Sequence, residues 1–273
     1  MTTFSRKQPK SLLNPASGYL TGYSHTLNPY AGCQYGCSYC YVRKMPVALF
    51  RREPWGEWVD AKIGSAQLLA KELAKEKRKG PVTIFMSSST DPYQPLEASE
   101  QITRSFLEAM VSDPPDFLFV QTRSPLVTRD IDLLLALKDR LRISMTVETD
   151  LESVRKAFTP SAPPVAGRLA ALRKLAEAGL PTQAAVSPVL PSSPAFAEIV
   201  AGVTDRVCID DFFMGDGSLG RRTETLGIRA IFEEMGFGDW YDRKRYLDIV
   251  SAFEAYLPPK RIKISQAGFL PDV

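Results

Sequence analysis

The sequence predicts an α/β fold: a partial (β/α)6 barrel of the TIM type with parallel strands, an N-terminal arm and a C-terminal helical extension. Three observations predict it. Short β-rich apolar runs alternate with segments of helical periodicity, the pattern of a parallel sheet with right-handed crossovers. About six such units can be counted rather than eight, so the barrel is incomplete and open. Polar residues collect where the runs end, and a barrel of this kind carries its functional residues at the C-terminal ends of its strands.

Residues 1–22 are polar, rich in Ser, Lys, Gly and Pro, and read as an irregular arm. The barrel is expected over 23–212. Its first strand, His25–Tyr30, enters a cysteine-bearing loop. Ser65–Lys79 reads as a helix with Leu69 and Leu73 on one face, Ser65 as N-cap and Gly80 as stop. Pro81–Ser88 is a short β-rich run. Ser99–Met110 is helical, with Ile102, Phe106 and Met110 in step. Phe117–Thr122 reads as strand and Asp130–Lys138 as a helix capped by Asp130. Leu141–Val147 is the next strand, followed by a short helix, Leu151–Phe158, before Pro160. Ala166–Ala178 places Leu169, Leu172 and Leu175 on one face and stops at Gly179 and Pro181. Gln183–Val189 and Arg206–Asp211 are further strands. In the extension, 213–273, a Gly-rich turn (Gly215 to Gly220) precedes a helix near Tyr241–Leu257 and a last strand, Arg261–Ser265.

The chain has 273 residues, 44% hydrophobic and 24% charged, close to soluble averages, which argues against disorder and membrane classes. No apolar stretch approaches the roughly 18 residues that span a bilayer. Met1–Lys10 lacks an apolar signal core, so a cytoplasmic location with reduced thiols is expected. A net charge of +3 permits nucleic-acid binding without calling for it. His25 is the one histidine, which leaves little room for His-based acid/base or zinc schemes.

Cys33, Cys37 and Cys40 form a C-x3-C-x2-C run. Clustered thiols in a reducing compartment read as metal ligands. A closed tetrahedral site takes four ligands, and no fourth cysteine or histidine follows nearby. A cubane [4Fe-4S] cluster held by three thiolates keeps one iron open for a substrate or cofactor.

With Tyr39 as the aromatic before the third cysteine, this run resembles the hallmark of the radical S-adenosylmethionine (SAM) superfamily. The resemblance extends to its spore photoproduct lyase-like family. It runs through Asn28-Pro29-Tyr30, Gly32-Cys33 and Cys37 to Tyr41, then Thr90-Asp91-Pro92-Tyr93-Gln94-Pro95 and Glu97. It continues through Thr122-Arg123-Ser124, Arg129 to Leu134, Pro160, Ala162-Pro163, Arg168-Leu169 and Ala178-Gly179, covering about residues 20–200. The resemblance implies a [4Fe-4S] cluster whose open iron is chelated by S-adenosyl-L-methionine. It implies reductive cleavage to a 5′-deoxyadenosyl radical that abstracts hydrogen from a substrate, fed by an electron donor of the flavodoxin or ferredoxin type. The cofactor carries the hard chemistry and the protein orients it.

The resemblance also assigns residues. Tyr39 would face the adenine, or simply pack on the cluster. Ser88, Ser89, Thr90 and Asp91 would line the cofactor at the end of the second strand. Arg123, beside Ser124, stands where the lyase family has a lysine near the cofactor carboxylate, a place for a bidentate contact. Thr146 and Glu148 are candidates for the methionine amine or ribose hydroxyls, or are solvent-facing strand ends. Asp91 and Glu97 flank a Pro-rich turn and are as readily structural. Ser88 occupies the place of the lyases' hydrogen-donating cysteine, and its O–H bond is too strong to donate hydrogen well. Tyr39 and Tyr41 match the lyases' tyrosine relay. Cys208 reads as a small buried residue or as a substitute hydrogen donor. Basic clusters at Lys75–Lys79, Arg221-Arg222, Arg243–Arg245 and Lys260-Arg261 are solvated faces or, near Trp240, Tyr241 and Tyr256, a nucleic-acid groove. A DNA photoproduct lyase and a non-catalytic iron–sulfur protein remain the rival readings, and the substrate is unnamed.

Overall fold

The structure is a computed structural model and describes residues 2–215 and 218–272. Its strands are β1 (Thr3–Lys7), β2 (Leu13–Pro15), β3 (His25–Leu27), β4 (Tyr30–Ala31), β5 (Trp58–Lys62), β6 (Thr83–Met86), β7 (Phe117–Thr122), β8 (Leu141–Thr146), β9 (Thr182–Val186), β10 (Val207–Ile209) and β11 (Ile262–Ile264). Eight of them form one sheet in the order β11-β10-β9-β8-β7-β6-β3-β2. From β3 to β11 every neighbour is parallel; β2 closes one edge antiparallel to β3. This is the open, partial barrel that the alternation predicts, and the last short strand joins it beside β10.

Alternation along the parallel strands sorts the core into two layers. Ile84, Met86, Leu118, Val120, Ile143, Met145, Val186 and Ile209 pack outward against the helices at 66–77, 102–112 and 165–177. The intervening residues face the barrel interior. There Phe85 and Phe119 stack at 4.9 Å, and Tyr23 meets Phe85 edge-on at 5.4 Å. With Ala185, Cys208 and Phe269 these rings form an apolar plug. Above the plug the inward side chains turn polar.

Several expectations need correction. Residues 1–22 are not irregular throughout: β1 pairs in parallel with β5, and β2 antiparallel with β3. β1 is mostly exposed, so its strand is set by its partner rather than by its own pattern. The helix expected from Ser99 begins at Ile102, after Gln101 turns left-handed (φ 51°). Ser65 makes no capping bond and instead donates to the Lys62 carbonyl. Asp130 does not cap the helix Ile131–Ala136; its carboxylate pairs with Arg104 and Arg129, both at 2.8 Å. The helix expected at Tyr241–Leu257 spans Arg245–Glu254, and another lies at Ile228–Glu234. Of the Gly-rich turn, Asp216 and Gly217 lie outside the described residues.

Candidate active site

The cysteine loop is held from three sides. β4 leads into it, paired antiparallel with β5. Gly32 (φ +83°) lies against Trp58 so closely that a Cβ would sit 2.3 Å from its carbonyl oxygen, so only glycine fits. Arg43 reaches back over the loop, donating to the carbonyls of Cys37 at 2.9 Å and Gly36 at 2.5 Å. From the other side comes the segment after β6. Thr90 Oγ1 and Gln94 Nε2 donate to the Gly32 carbonyl (2.6 and 3.3 Å), and Gln94 Oε1 accepts from the Gln34 amide at 2.9 Å.

That segment is itself anchored on buried carboxylates. Asp91 accepts from Thr122 Oγ1 and from the amides of Tyr93 and Arg123, at 2.7 to 2.9 Å. Glu97 is fully buried; it accepts from the Tyr30 hydroxyl, from the amides of Thr103 and Arg104, and from Arg129 at 2.7 Å. Asn28 spans to the strand end, donating to Ser88 Oγ at 3.2 Å and accepting from the Ser89 amide at 3.0 Å.

Behind Tyr39 lies a charged relay. Glu148 accepts from the Tyr39 hydroxyl, from Arg123 at 2.7 Å and from Arg168 at 2.5 Å. Burial would raise this carboxyl, yet the two guanidiniums overcome it and hold Glu148 at about 2. Arg123 also donates to the Tyr39 hydroxyl at 3.1 Å.

All of this converges on one cavity of about 690 Å³. Cys33, Cys37, Cys40, Tyr39, Tyr41, Ser88, Ser89, Thr90, Asp91, Arg123 and Thr146 line it. Cys33 and Cys37 are buried and Cys40 half-buried. Burial pushes all three thiols up, Cys40 to about 12, so thiolates here need a positive centre beside them. Among the described residues no three His, Cys, Asp or Glu side chains close round a single metal ion. Thiols spread along one wall suit a cluster, in which each binds a different iron. Ser87 Oγ and Gln121 Oε1 line the same cavity and are buried with no partner, as polar atoms awaiting a ligand are.

A family model for the radical SAM superfamily matches residues 27–193. The chain belongs to the radical SAM superfamily. An uncharacterised protein of Methanocaldococcus jannaschii is 32% identical over 182 residues, 67% of this chain and 66% of that relative. One of Acidianus two-tailed virus is 34% identical over 172 residues, 60% and 56% of the two chains. The matches thus span roughly two thirds or less of these relatives' lengths. In fold, the chain is similar to a spore photoproduct lyase variant solved with bound AdoMet and dinucleoside spore photoproduct. That match has a TM-score of 0.65 and 13% identity, over 96% of this chain and 82% of that one. It is also similar to Streptococcus suis SuiB solved with its precursor peptide, at a TM-score of 0.53 and 14% identity over 88% and 48%.

Within this radical SAM barrel three expected site residues stand away from the cavity wall. Glu148 lies behind Arg123 and Tyr39. Ser124 caps the turn at Pro125–Asp130, accepting from the Leu126 amide at 3.3 Å. Cys208 does face the interior, but it is sealed into the aromatic plug, its thiol 3.5 Å from the Ser265 carbonyl. Tyr41 donates its hydroxyl to the Ser88 carbonyl.

Tyr19, Asp210, Phe212, Arg222 and Phe269 also line the cavity, and the sequence pattern did not single them out as site residues. Asp210 ends β10, the inward position two beyond Cys208, and accepts from the Tyr19 hydroxyl at 3.3 Å and the Asp211 amide at 3.0 Å. Burial, reinforced by Asp211, lifts its carboxyl to about 7. The strand period that placed Cys208 inward would have placed Asp210 inward too. Tyr19 carried no signal, since its segment reads as plain arm.

Proposed function

We propose that this radical SAM protein is an enzyme in which Cys33, Cys37 and Cys40 hold a [4Fe-4S] cluster beside bound SAM. When bound, these groups supply reductive cleavage of the sulfonium to a 5′-deoxyadenosyl radical that abstracts hydrogen from a substrate. The observation that supports this reading best is the wall itself: three thiols, two buried and one half-buried, share one cavity with two partnerless polar atoms.

The chain's own residues prepare that cavity. Glu148, ionised across the ordinary pH range, fixes Arg123 and the Tyr39 hydroxyl together. Arg123 presents positive charge toward the cavity, suited to a carboxylate. Gln121 donates to Thr146 Oγ1 at 2.8 Å, leaving its Oε1 to accept from an ammonium or hydroxyl. Phe85, Phe212 and Phe269 give the cavity apolar surface that excludes water. Asp210 marks the far side as the place for a substrate. Ser88 and the sealed Cys208 weigh against a photoproduct-lyase reaction, because neither offers a cavity-facing thiol to return hydrogen.

Anaerobic reconstitution with iron and sulfide, reduction by dithionite and assay of SAM cleavage tests the proposal. Formation of 5′-deoxyadenosine is expected. A cluster that forms without cleaving SAM, with or without candidate substrates such as thymine-dimer DNA, would leave the non-catalytic iron–sulfur reading standing.

A further inference from the structure

The stretch just after Cys40 has two faces. One covers the cysteine loop: Tyr41, Met45, Val47 and Ala48 pack with Cys33, Cys37, Trp55 and Trp58. The other faces solvent and is apolar where solvent-facing residues are ordinarily polar. Phe50, at the end of the short helix Pro46–Leu49, is 88% exposed, and Leu49 is 59% exposed. No exposed aromatic among the described residues is barer than Phe50.

The charges along this stretch are mostly positive. Lys44 and Arg52 are exposed, with Arg43 and Arg51 half-buried between patch and loop, and residues 41–52 contain no acid. Arg43 is committed to the loop carbonyls. Arg51 stacks over Trp58 at 4.1 Å and pairs with Asp60 at 2.7 Å. Asp60 is further neutralised by Lys7 at 2.8 Å, so it does not cancel the rim. Glu53 follows Arg52 directly and offsets part of this charge, and Glu57 lies four residues on.

We propose that the outward face of Pro46–Phe50, with Lys44 and Arg52 at its rim, docks an acidic one-electron donor protein. The inference rests on the iron–sulfur reading of the three cysteines. Three features of this patch suit such a partner. An apolar centre with a charged rim is the anatomy of a protein interface. Its small size suits a transient redox encounter, which sits at the low end of interface areas. An excess of positive charge steers an oppositely charged partner to the surface and raises its on-rate. Position completes the argument. The patch lies on the same stretch as Met45, Val47 and Ala48, which pack on the apolar cluster that contains Cys33 and Cys37.

The test uses the reconstituted holoprotein and purified flavodoxin in its fully reduced form, with cluster reduction followed by stopped-flow absorbance. Phe50→Asp, Arg52→Glu and Lys44→Glu are compared singly with the unaltered chain. The expected result is a second-order rate lowered roughly tenfold by each change, with a weaker dependence on salt. Cluster content, circular dichroism and the dithionite-driven rate should stay unchanged. Unaltered rates in all three variants, with flavodoxin and with a plant-type ferredoxin alike, would overturn the proposal. So would a Phe50→Asp variant that accepts electrons normally while a dimer of this chain falls apart, since the patch then belongs to a second copy. Failure of SAM cleavage under dithionite would instead sink the underlying reading, whatever the patch does.

Discussion

Two buried carboxylates near one cavity, Glu148 behind Tyr39 and Asp210 after β10, are treated in opposite ways. On the cysteine side, Glu148 meets two guanidiniums and a phenol, and it stays ionised down to about pH 2. On the far side, Asp210 meets a phenol and a backbone amide, and burial lifts it to about 7. Desolvation disfavours both charges; two cations overcome it at Glu148, while Asp211 adds to it at Asp210. The difference teaches what each side is built to do. A fixed charge array suits a cofactor that is the same in every turnover. A carboxyl poised near neutrality can take or give a proton, and suits a molecule that changes.

The comparison can be broken or sharpened by four changes, from the largest effect to the smallest. Cys37→Ala should prevent assembly of a stable cluster, read as loss of bound iron and of the brown absorbance, and reduce SAM cleavage to background. Among the described residues no further cysteine or histidine lines the cavity to take its place. Arg168→Met removes one of two cations from a carboxylate that is 1% exposed. Breaking a buried pair in this way should cost about 3–5 kcal/mol, measured by urea unfolding. A cost near zero would show that the fixed wall is not fixed by charge.

Asp210 gives the third. Its folded carboxyl is raised, so between about pH 4 and about pH 7 the folded state holds a proton that the unfolded state has released. Stability should therefore fall as pH rises through that window, with a slope of at most about 1.4 kcal/mol per pH unit from this group. Asp210→Asn should flatten the slope. Glu148 acts in the opposite sense: its contribution is present above the ordinary glutamate range and is lost only as pH falls toward about 2. Smallest is Cys208→Ala. With the thiol sealed in the aromatic plug, turnover should be unchanged and stability lowered by about 1 kcal/mol. A loss of turnover at equal SAM cleavage would restore Cys208 as a hydrogen donor.

The sequence made the fixed wall readable and left the poised one dark. β6 to β9 carry runs of Ile, Phe, Leu and Val whose period announces a buried strand, and the Thr90–Glu97 string follows one of them. Glu148 was visible as a residue but not in its role, because Arg168, which fixes it, lies on the helix Val165–Glu177, beyond any local pattern. β5 escaped for a different reason. Asp60 sits within it, and a charge in a short run reads as loop until Ser5, Lys7 and Arg51 are seen around it. Tyr19 was equally hidden, since its partners Asp210 and Ser265 are about 190 and 250 residues away along the chain.

That separation governs the order in which the molecule can be completed during synthesis. Part of the cysteine loop's support, from β4, β5 and the Thr90–Gln94 contacts, lies before Glu97, while Ser38 also needs the Phe158 carbonyl. Tyr19 gains the Asp210 and Ser265 contacts only after β11 has been made. The thiols are therefore made well before the residues that complete the Asp210 side of the cavity.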